Sequence, residues 1–288
     1  MALPRLSIVT SCKGRLKYLK QALPTFVAQT ESEVVVVDYD CPEGTKEWVA
    51  ANFSAVRLVN VTREPIFNAS RARNLGARDA RASWLVFCDA DDLLSPSFAS
   101  DVLRLAEQGT YQRTLRNTPW GLKQQYVPLA CETTTFWSVG GYDDAIRGWG
   151  IEDLEFVDRL RLAGIREVLG SATVAQTLLQ GKLESGRYYE HDRAISVVIN
   201  HYYWTIKRRY FETTRQWFTD DQRYSTYNSV ERAVLGSLAN PEATFDISVA
   251  ASTTPWAARL TASDVQSFLS KQSEKLKQLE ESVQKHAP

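Results

Sequence analysis

Along the first half of the chain, apolar residues switch between two spacings. Leu6–Thr10 is a short apolar run, followed by Leu16, Leu19, Leu23, Phe26 and Val27 at helical spacing, with Pro24 as a kink point. Val34–Val37 is a β-branched run ending at Asp38, as expected of a strand buried on both faces. Thr45 is placed to cap a short helix carrying Trp48 and Val49. Val56–Val59 reads as strand, Ser70–Arg81 as an arginine-rich helix, and Trp84–Cys88 as another strand that stops at Asp89. Alternation of this kind predicts an α/β fold, a mostly parallel central sheet flanked by helices. Ligands of such sheets gather at the carboxyl ends of strands, where Asp38 and Asp89 both stand.

Beyond about residue 190 the helical period takes over. Ile195, Val198, Ile199, Tyr202, Tyr203 and Ile206 predict an amphipathic helix over roughly 192–214. A second helix is expected over 221–239, with Tyr227, Val230, Val234 and Leu238 on one face. The Pro-, Thr- and Ala-rich stretch 240–262 reads as loop. Ser263, with Gln266 three residues on, resembles a capping box opening a last helix. The expected organisation is a catalytic α/β domain over 1–190 and a helical extension over 191–288.

Composition narrows the class without naming it. Of the 288 residues, 44% are hydrophobic and 24% charged, enough apolar chain for a large core. The 34 basic and 34 acidic residues cancel, which argues against nucleic acid or an anionic membrane as a partner of the whole molecule. Cys12, Cys41, Cys88 and Cys131 form no CxxC pair, so neither a zinc ribbon nor a disulfide scaffold is expected. With no secretory leader and no apolar window of membrane-spanning length, the expected setting is the cytoplasm.

The chemistry lies in two acidic clusters. In Phe87-Cys88-Asp89-Ala90-Asp91-Asp92, three acids fall within four residues at a strand end. Such a group repels itself unless a cation neutralises it, and carboxylate oxygens suit Mg²⁺ or Mn²⁺. A solvated acidic turn, or a helix start ahead of Pro96, is the plain alternative. The second cluster runs from Gly140 to Glu155 and contains Gly148-Trp149-Gly150-Ile151-Glu152-Asp153. Leu154, Val157 and Leu160 continue it at helical spacing, so Glu152 and Asp153 open a helix, where the macrodipole favours anions. A carboxylate fixed on a helix end beside glycines suits a general base; ordinary N-terminal helix charge is the bland reading.

These segments, in order, resemble a glycosyltransferase of family 2 type with the glycosyltransferase-A fold. Ser7-Ile8-Val9-Thr10 resembles its first strand, and Val36–Thr45 matches in length the element written V-V-D-D-G-S-x-D-G-T. Phe67–Gly76 resembles F-N-x-(S/A)-x-A-R-N-x-G, Asp89–Asp92 the D-x-D motif, and Gly148–Asp153 the G-W-G-x-E-D box of galactosyltransferases and chondroitin polymerases. The resemblance covers about residues 5 to 170. It implies that Thr10 and either Asp38 or Asp40 contact uridine, since Tyr39 replaces the usual second acid. It further implies Arg73 near the diphosphate, Asp89 and Asp91 on Mn²⁺ or Mg²⁺, Asp153 as base, Glu152 on a sugar and Trp149 stacked on the acceptor. His191 matches the family's late metal-binding histidine, whereas His201 reads as structural and His286 as no ligand.

The implied reaction transfers a hexose or N-acetylhexosamine, galactose-type favoured, from a UDP-sugar to a saccharide or lipid-linked acceptor with inversion. Polysaccharide synthesis at the inner face of the cell membrane is the family-level setting. The terminal helix is a candidate for pairing with a second copy or lying at a membrane surface. A sugar-phosphate nucleotidylyltransferase is a rival, but Ser11-Cys12-Lys13-Gly14-Arg15 makes a poor phosphate loop. A non-catalytic assembly subunit is another, though it would be expected to have lost some of Asp89, Asp91, Glu152 and Asp153. Trp84 reads as core, the 71–81 arginines as a stripe with Arg73 at its start, and the loop at Trp120 as a candidate lid.

Overall fold

The computed structural model describes residues 3–118, 121–178, 186–250 and 256–285. The chain divides into two compact units, one of residues 1–142 and 153–188, the other of 143–152 and 189–288.

The first unit is built on an eight-stranded sheet in the order β3-β2-β1-β4-β7-β6-β8-β5. Its strands are β1 (Leu6–Cys12), β2 (Ser32–Tyr39), β3 (Arg57–Val61), β4 (Trp84–Phe87), β5 (Asp92–Leu94), β6 (Thr110–Thr118), β7 (Gly121–Glu132) and β8 (Arg166–Thr177). Helices α1 (Leu16–Val27), α2 (Thr45–Asn52), α3 (Ala69–Asp79), α4 (Phe98–Arg104), α5 (Thr133–Ser138) and α6 (Glu152–Leu162) accompany them. Strands β1 to β4 are parallel, with Ile8 beside Val34 and Val86. The expected, mostly parallel sheet is what forms: β6 and β8 are also parallel to each other, and among the described strands only β7, antiparallel to both β4 and β6, and β5, antiparallel to β8, run the other way. Short connections can return a strand only antiparallel, whereas a parallel neighbour needs a crossover.

Alternation along β1 serves both faces. Leu6 and Ile8 join the core with Leu19, Phe26 and Val36, while Val9 joins that with Val35, Leu85, Phe87, Phe136 and Phe156. Because side chains alternate every residue, a continuous apolar run marks a strand covered on both sides. Pro24 lies inside α1. The expected Thr45 cap is displaced: Gly44 holds the N-cap position at φ 75°, and the Thr45 hydroxyl donates instead to the Cys12 sulfur at 3.2 Å.

In the second unit, α7 (Arg193–Thr214), α8 (Asp220–Ala239) and α9 (Ala262–Lys285) enclose a core of Val198, Ile199, Tyr203, Tyr227, Val230, Val234 and Val265. The first two helices follow the sequence period. The stretch read as loop instead holds a hairpin of β9 (Thr244–Ser248) and β10 (Ala257–Thr261), whose Ile247 and Leu260 are buried. Its strands are five residues each with one buried apolar position apiece, too little alternation to register as strand. The last helix starts before Ser263. Thr261 accepts from the Asp264 N–H and donates to its carboxylate, while Gln266 donates to the Ser237 carbonyl. Among the described residues no helix is long and apolar enough to cross a membrane.

Candidate active site

Helix α3 begins where Asn68 accepts the Arg71 N–H at 2.9 Å, a side-chain cap that fixes the first turn. This sets Arg73 one turn in, on the buried face. Its guanidinium is 10% exposed and lies over the Tyr142 ring at 5.0 Å. One nitrogen donates to Asp153 Oδ1 at 3.0 Å and another to Asp89 Oδ1 at 3.4 Å. A single planar cation thus joins carboxylates 16 and 80 residues away in sequence. Next to it, Asn74 donates to the Tyr142 carbonyl and accepts the Tyr142 N–H, pinning the chain ahead of the glycine-rich loop.

Three acids of the 89–92 cluster have three different environments. Asp92 is fully buried, accepting from Arg116 at 3.0 Å and Thr177 at 3.0 Å. Burial pushes its carboxyl well up, against the pull of Arg116. Asp91 is buried and its carbonyl accepts the Leu178 N–H. Asp89, at 36%, is the exposed member, with Arg116 at 3.8 Å from its other oxygen. The reading as a merely solvated turn fails, because two of the three acids are buried. Sequence inspection missed Arg116 altogether: it lies on β6, 24 residues from Asp92, and no local spacing marks it.

The β1–β2 end holds the other expected contacts. Thr10 is buried on β1, and its hydroxyl has no hydrogen-bond partner among the described residues. Asp38 and Asp40 separate clearly. Both Asp38 oxygens are taken by backbone, the N–H groups of Cys41 at 2.8 Å and Lys46 at 2.9 Å. Burial raises its carboxyl, and those two N–H groups oppose the rise. Asp40 has a side chain 39% exposed and stands at φ 53°, accepting the Glu64 N–H. Lys13, weighed in the sequence only as part of a poor phosphate loop, is buried and donates to the carbonyls of Tyr39, Asp40 and Glu64, which locks this turn.

The second unit carries Trp149, Glu152 and His191. Gly148 sits at φ 75°, and a Cβ there would come within 2.4 Å of Ser196 Oγ and 2.9 Å of its Cβ, so this position calls for glycine. Ile151 stands at φ 76°, a position that a β-branched residue occupies only under strain. What holds it is Asn200, fully buried, which donates to the carbonyls of both Arg147 and Gly150 at 2.9 Å. Trp149 lies under the Arg193 guanidinium at 5.0 Å, and Glu152 is the first residue of α6. His191 Nε2 is 3.0 Å from Glu231, and Glu190, His191 and Glu231 offer ligand atoms within 4.8 Å of one another. His201 stacks on Phe268 at 4.4 Å, where burial lowers its pKa. Trp120 and His286 lie outside the described residues.

The comparisons with known proteins fit this architecture. The sequence model of glycosyl transferase family 2 matches residues 7–140, and that described as the N-terminal domain of galactosyltransferase matches 127–190. Validoxylamine A glucosyltransferase of Streptomyces hygroscopicus subsp. jinggangensis is 26% identical over 221 residues, covering 56% of this chain and 52% of the relative. An uncharacterized glycosyltransferase of Haemophilus influenzae is 37% identical over 106 residues, 36% of this chain and 35% of its own. The chain therefore spans about half the length, or less, of the curated relatives it matches. Among solved structures, S. aureus TarS 1–349 with UDP-GlcNAc aligns at a TM-score of 0.54 and 16% identity, over 82% of this chain and 76% of that one. Mannosyltransferase PcManGT from Pyrobaculum calidifontis, in complex with GDP-Man and Mn²⁺, gives 0.52 and 15%, over 84% and 73%. These structural likenesses show the glycosyltransferase-A fold. Residues 7–140 thus carry a glycosyl transferase family 2 domain, and residues 127–190 a segment of the type described as the N-terminal domain of galactosyltransferase.

Proposed function

We propose that the protein transfers a hexose or N-acetylhexosamine from a UDP-sugar to a hydroxyl of a saccharide or lipid-linked saccharide, inverting the anomeric carbon. The observation that carries this reading is Arg73, bridging Asp153 and Asp89. That contact sets a carboxylate at the start of a helix beside the acidic cluster at a strand end, with a fixed positive charge between them. A displacement at a sugar C1 needs these parts: a proton acceptor on the incoming hydroxyl and positive charge on the departing diphosphate.

Asp153 takes the proton from the acceptor hydroxyl as its oxygen bonds to C1. The C1–O bond to the diphosphate breaks in the same step, and Arg73 meets the charge that develops there. The donor set of Asp89 and Asp91 fits a hard divalent cation such as Mn²⁺ or Mg²⁺, because Arg116 and Thr177 already satisfy Asp92 while Asp89 stays accessible. Bound there, the ion would neutralise diphosphate charge. His191 is offered as a further ligand on the family resemblance alone; within its own unit its Nε2 lies 3.0 Å from Glu231. Asp40 is favoured over Asp38 for the uracil, since Asp38 is spent on the turn. Thr10, Glu152 and Trp149 keep their proposed places at the uridine, the sugar and the acceptor. Galactose-type donors are favoured by the galactosyltransferase-type match over 127–190.

Turnover of a panel of nucleotide sugars, followed as UDP release with and without Mn²⁺, tests the reading. Asp153→Asn is expected to cut turnover by ~10²–10⁴, the usual worth of a general base, while UDP binding stays near normal. Wild-type rates in that variant would remove Asp153 from the base role. Asp91→Ala is expected to abolish the Mn²⁺-dependent part of UDP binding in calorimetry. Metal-independent binding in the parent protein would overturn the cation site.

A further inference from the structure

The four cysteines divide sharply. Cys88 and Cys131 are buried, and burial pushes both thiols well up, leaving them inert. Cys12 and Cys41 instead meet at the end of β1. Cys12 pairs in register with Asp38, and Cys41 lies three residues beyond, its N–H on the Asp38 carboxylate. The Cys41 sulfur accepts the Gly14 N–H at 3.1 Å and the Cys12 sulfur accepts the Thr45 hydroxyl at 3.2 Å. Cys41 is half-buried and packs against the core cluster that contains Cys12.

We propose that Cys12 and Cys41 form a reversible dithiol–disulfide pair, a modification site for hydroperoxides on the turn that connects β2 to α2. The two sulfurs play unequal parts. Cys41 is held down at about 6, first by the hydrogen bond from the Cys12 thiol, with Thr45 and backbone N–H groups adding to it against the effect of burial. Cys12 is pushed up by the same bond and by burial. At neutral pH the thiolate therefore sits on Cys41, the partly exposed member, and the protonated partner waits behind it. Reactive and resolving cysteines of redox sensors have this division of labour.

The chemistry balances with one hydroperoxide. Cys41 thiolate attacks the terminal oxygen, breaking the O–O bond and giving a sulfenic acid and an alkoxide or hydroxide that takes up a proton. Cys12, losing its proton, then attacks the Cys41 sulfur and expels water. Two thiols are oxidised by two electrons and the peroxide is reduced to water and an alcohol, or to two waters. A dithiol reductant reverses the change. Forming the S–S bond draws the sulfurs to ~2.05 Å, closer than hydrogen-bonded thiols. The sulfurs must shift away from the Gly14 N–H and the Thr45 hydroxyl, so the turn at 12–14 and the start of α2 move with them. Because Thr10, Asp38 and Asp40 share this edge, oxidation is expected to weaken nucleotide binding, a consequence that rests on the function proposed above.

The full chain, reduced and then treated with a small excess of hydrogen peroxide, tests the pair by peptide mapping without reductant. The expected product is a Cys12–Cys41 cross-linked peptide, two hydrogens lighter, with Cys88 and Cys131 still thiols and full reversal by dithiothreitol. Cys12→Ser should stop at a Cys41 sulfenic acid that dimedone traps, a readout available even if that buried substitution lowers stability. Absence of the cross-link, or alkylation of Cys41 at neutral pH no faster than an ordinary thiol, overturns the pair. UDP affinity is expected to fall at least tenfold on oxidation; equal affinity in both forms overturns the coupling. Failure of the reduced protein to bind UDP would instead overturn the nucleotide reading, and the peptide map would still decide the disulfide.

Discussion

At the scale of single residues, Arg73 concentrates the most consequence in the fewest atoms. Its planar fork reaches two acids in different directions while its face lies on Tyr142, a combination that an ammonium on a flexible stem does not reproduce. Arg73→Lys is expected to lower turnover about tenfold or more, because one point charge cannot serve both Asp153 and Asp89. Initial rates of UDP release check this, and an unchanged rate would mean that charge alone suffices. The arginine was legible in the sequence because it stands within a recognisable run, Ala72-Arg73-Asn74. Arg116, Lys13, Glu231 and Asn200 were not. Each acts on a partner at least 24 positions away, Glu64 for Lys13 among them, and single-sequence patterns carry no signal for such pairings. The split between Asp38 and Asp40 likewise needed backbone geometry, since the two acids look alike on paper.

Among elements, α3 shows how closely helix and sheet approach. Gly76 faces β1 and β2, and a Cβ there would lie 2.4 Å from Val9 Cγ1 and 3.1 Å from Val37 Cγ2. Gly76→Ala is expected to destabilise the protein by ~1–3 kcal/mol through overpacking, despite alanine's better helix propensity. Urea unfolding measures the sign: a gain in stability would show that the strands can yield. Regular elements of the parallel half were readable from their period because burial on both faces leaves unbroken apolar runs. The strands beyond β4 were not. β6 reads Thr-Tyr-Gln-Arg-Thr-Leu-Arg-Asn-Thr and uses its polar side chains in ion pairs, so hydropathy sees nothing strand-like. The β9–β10 hairpin escaped because each of its five-residue strands buries a single apolar side chain.

For the molecule as a whole, a zero net charge hides a set of local, fully paired groups whose titration governs acid stability. Glu167 on β8 is the clearest. Burial works to raise its carboxyl, but hydrogen bonds from Arg161, Tyr111 and Arg113 hold it at about 2. Since the folded value lies below the ordinary 4.5, the stabilisation is complete above that pH and is lost as pH falls from about 4.5 toward 2. The loss is on the order of 3 kcal/mol. Glu167→Gln should flatten the pH dependence of urea unfolding across that interval, and an unaltered slope would mean that other carboxylates govern it.

Asn200 binds the carbonyls of Arg147 and Gly150 from the middle of α7. The loop bearing Trp149 therefore has no conformational independence from that helix: whatever frays α7 at its third turn also frees the strained Ile151 backbone. Backbone amides of 148–152 and those around Asn200 should accordingly exchange with solvent as one cooperative group, so that a loop by sequence behaves as part of a helix by protection.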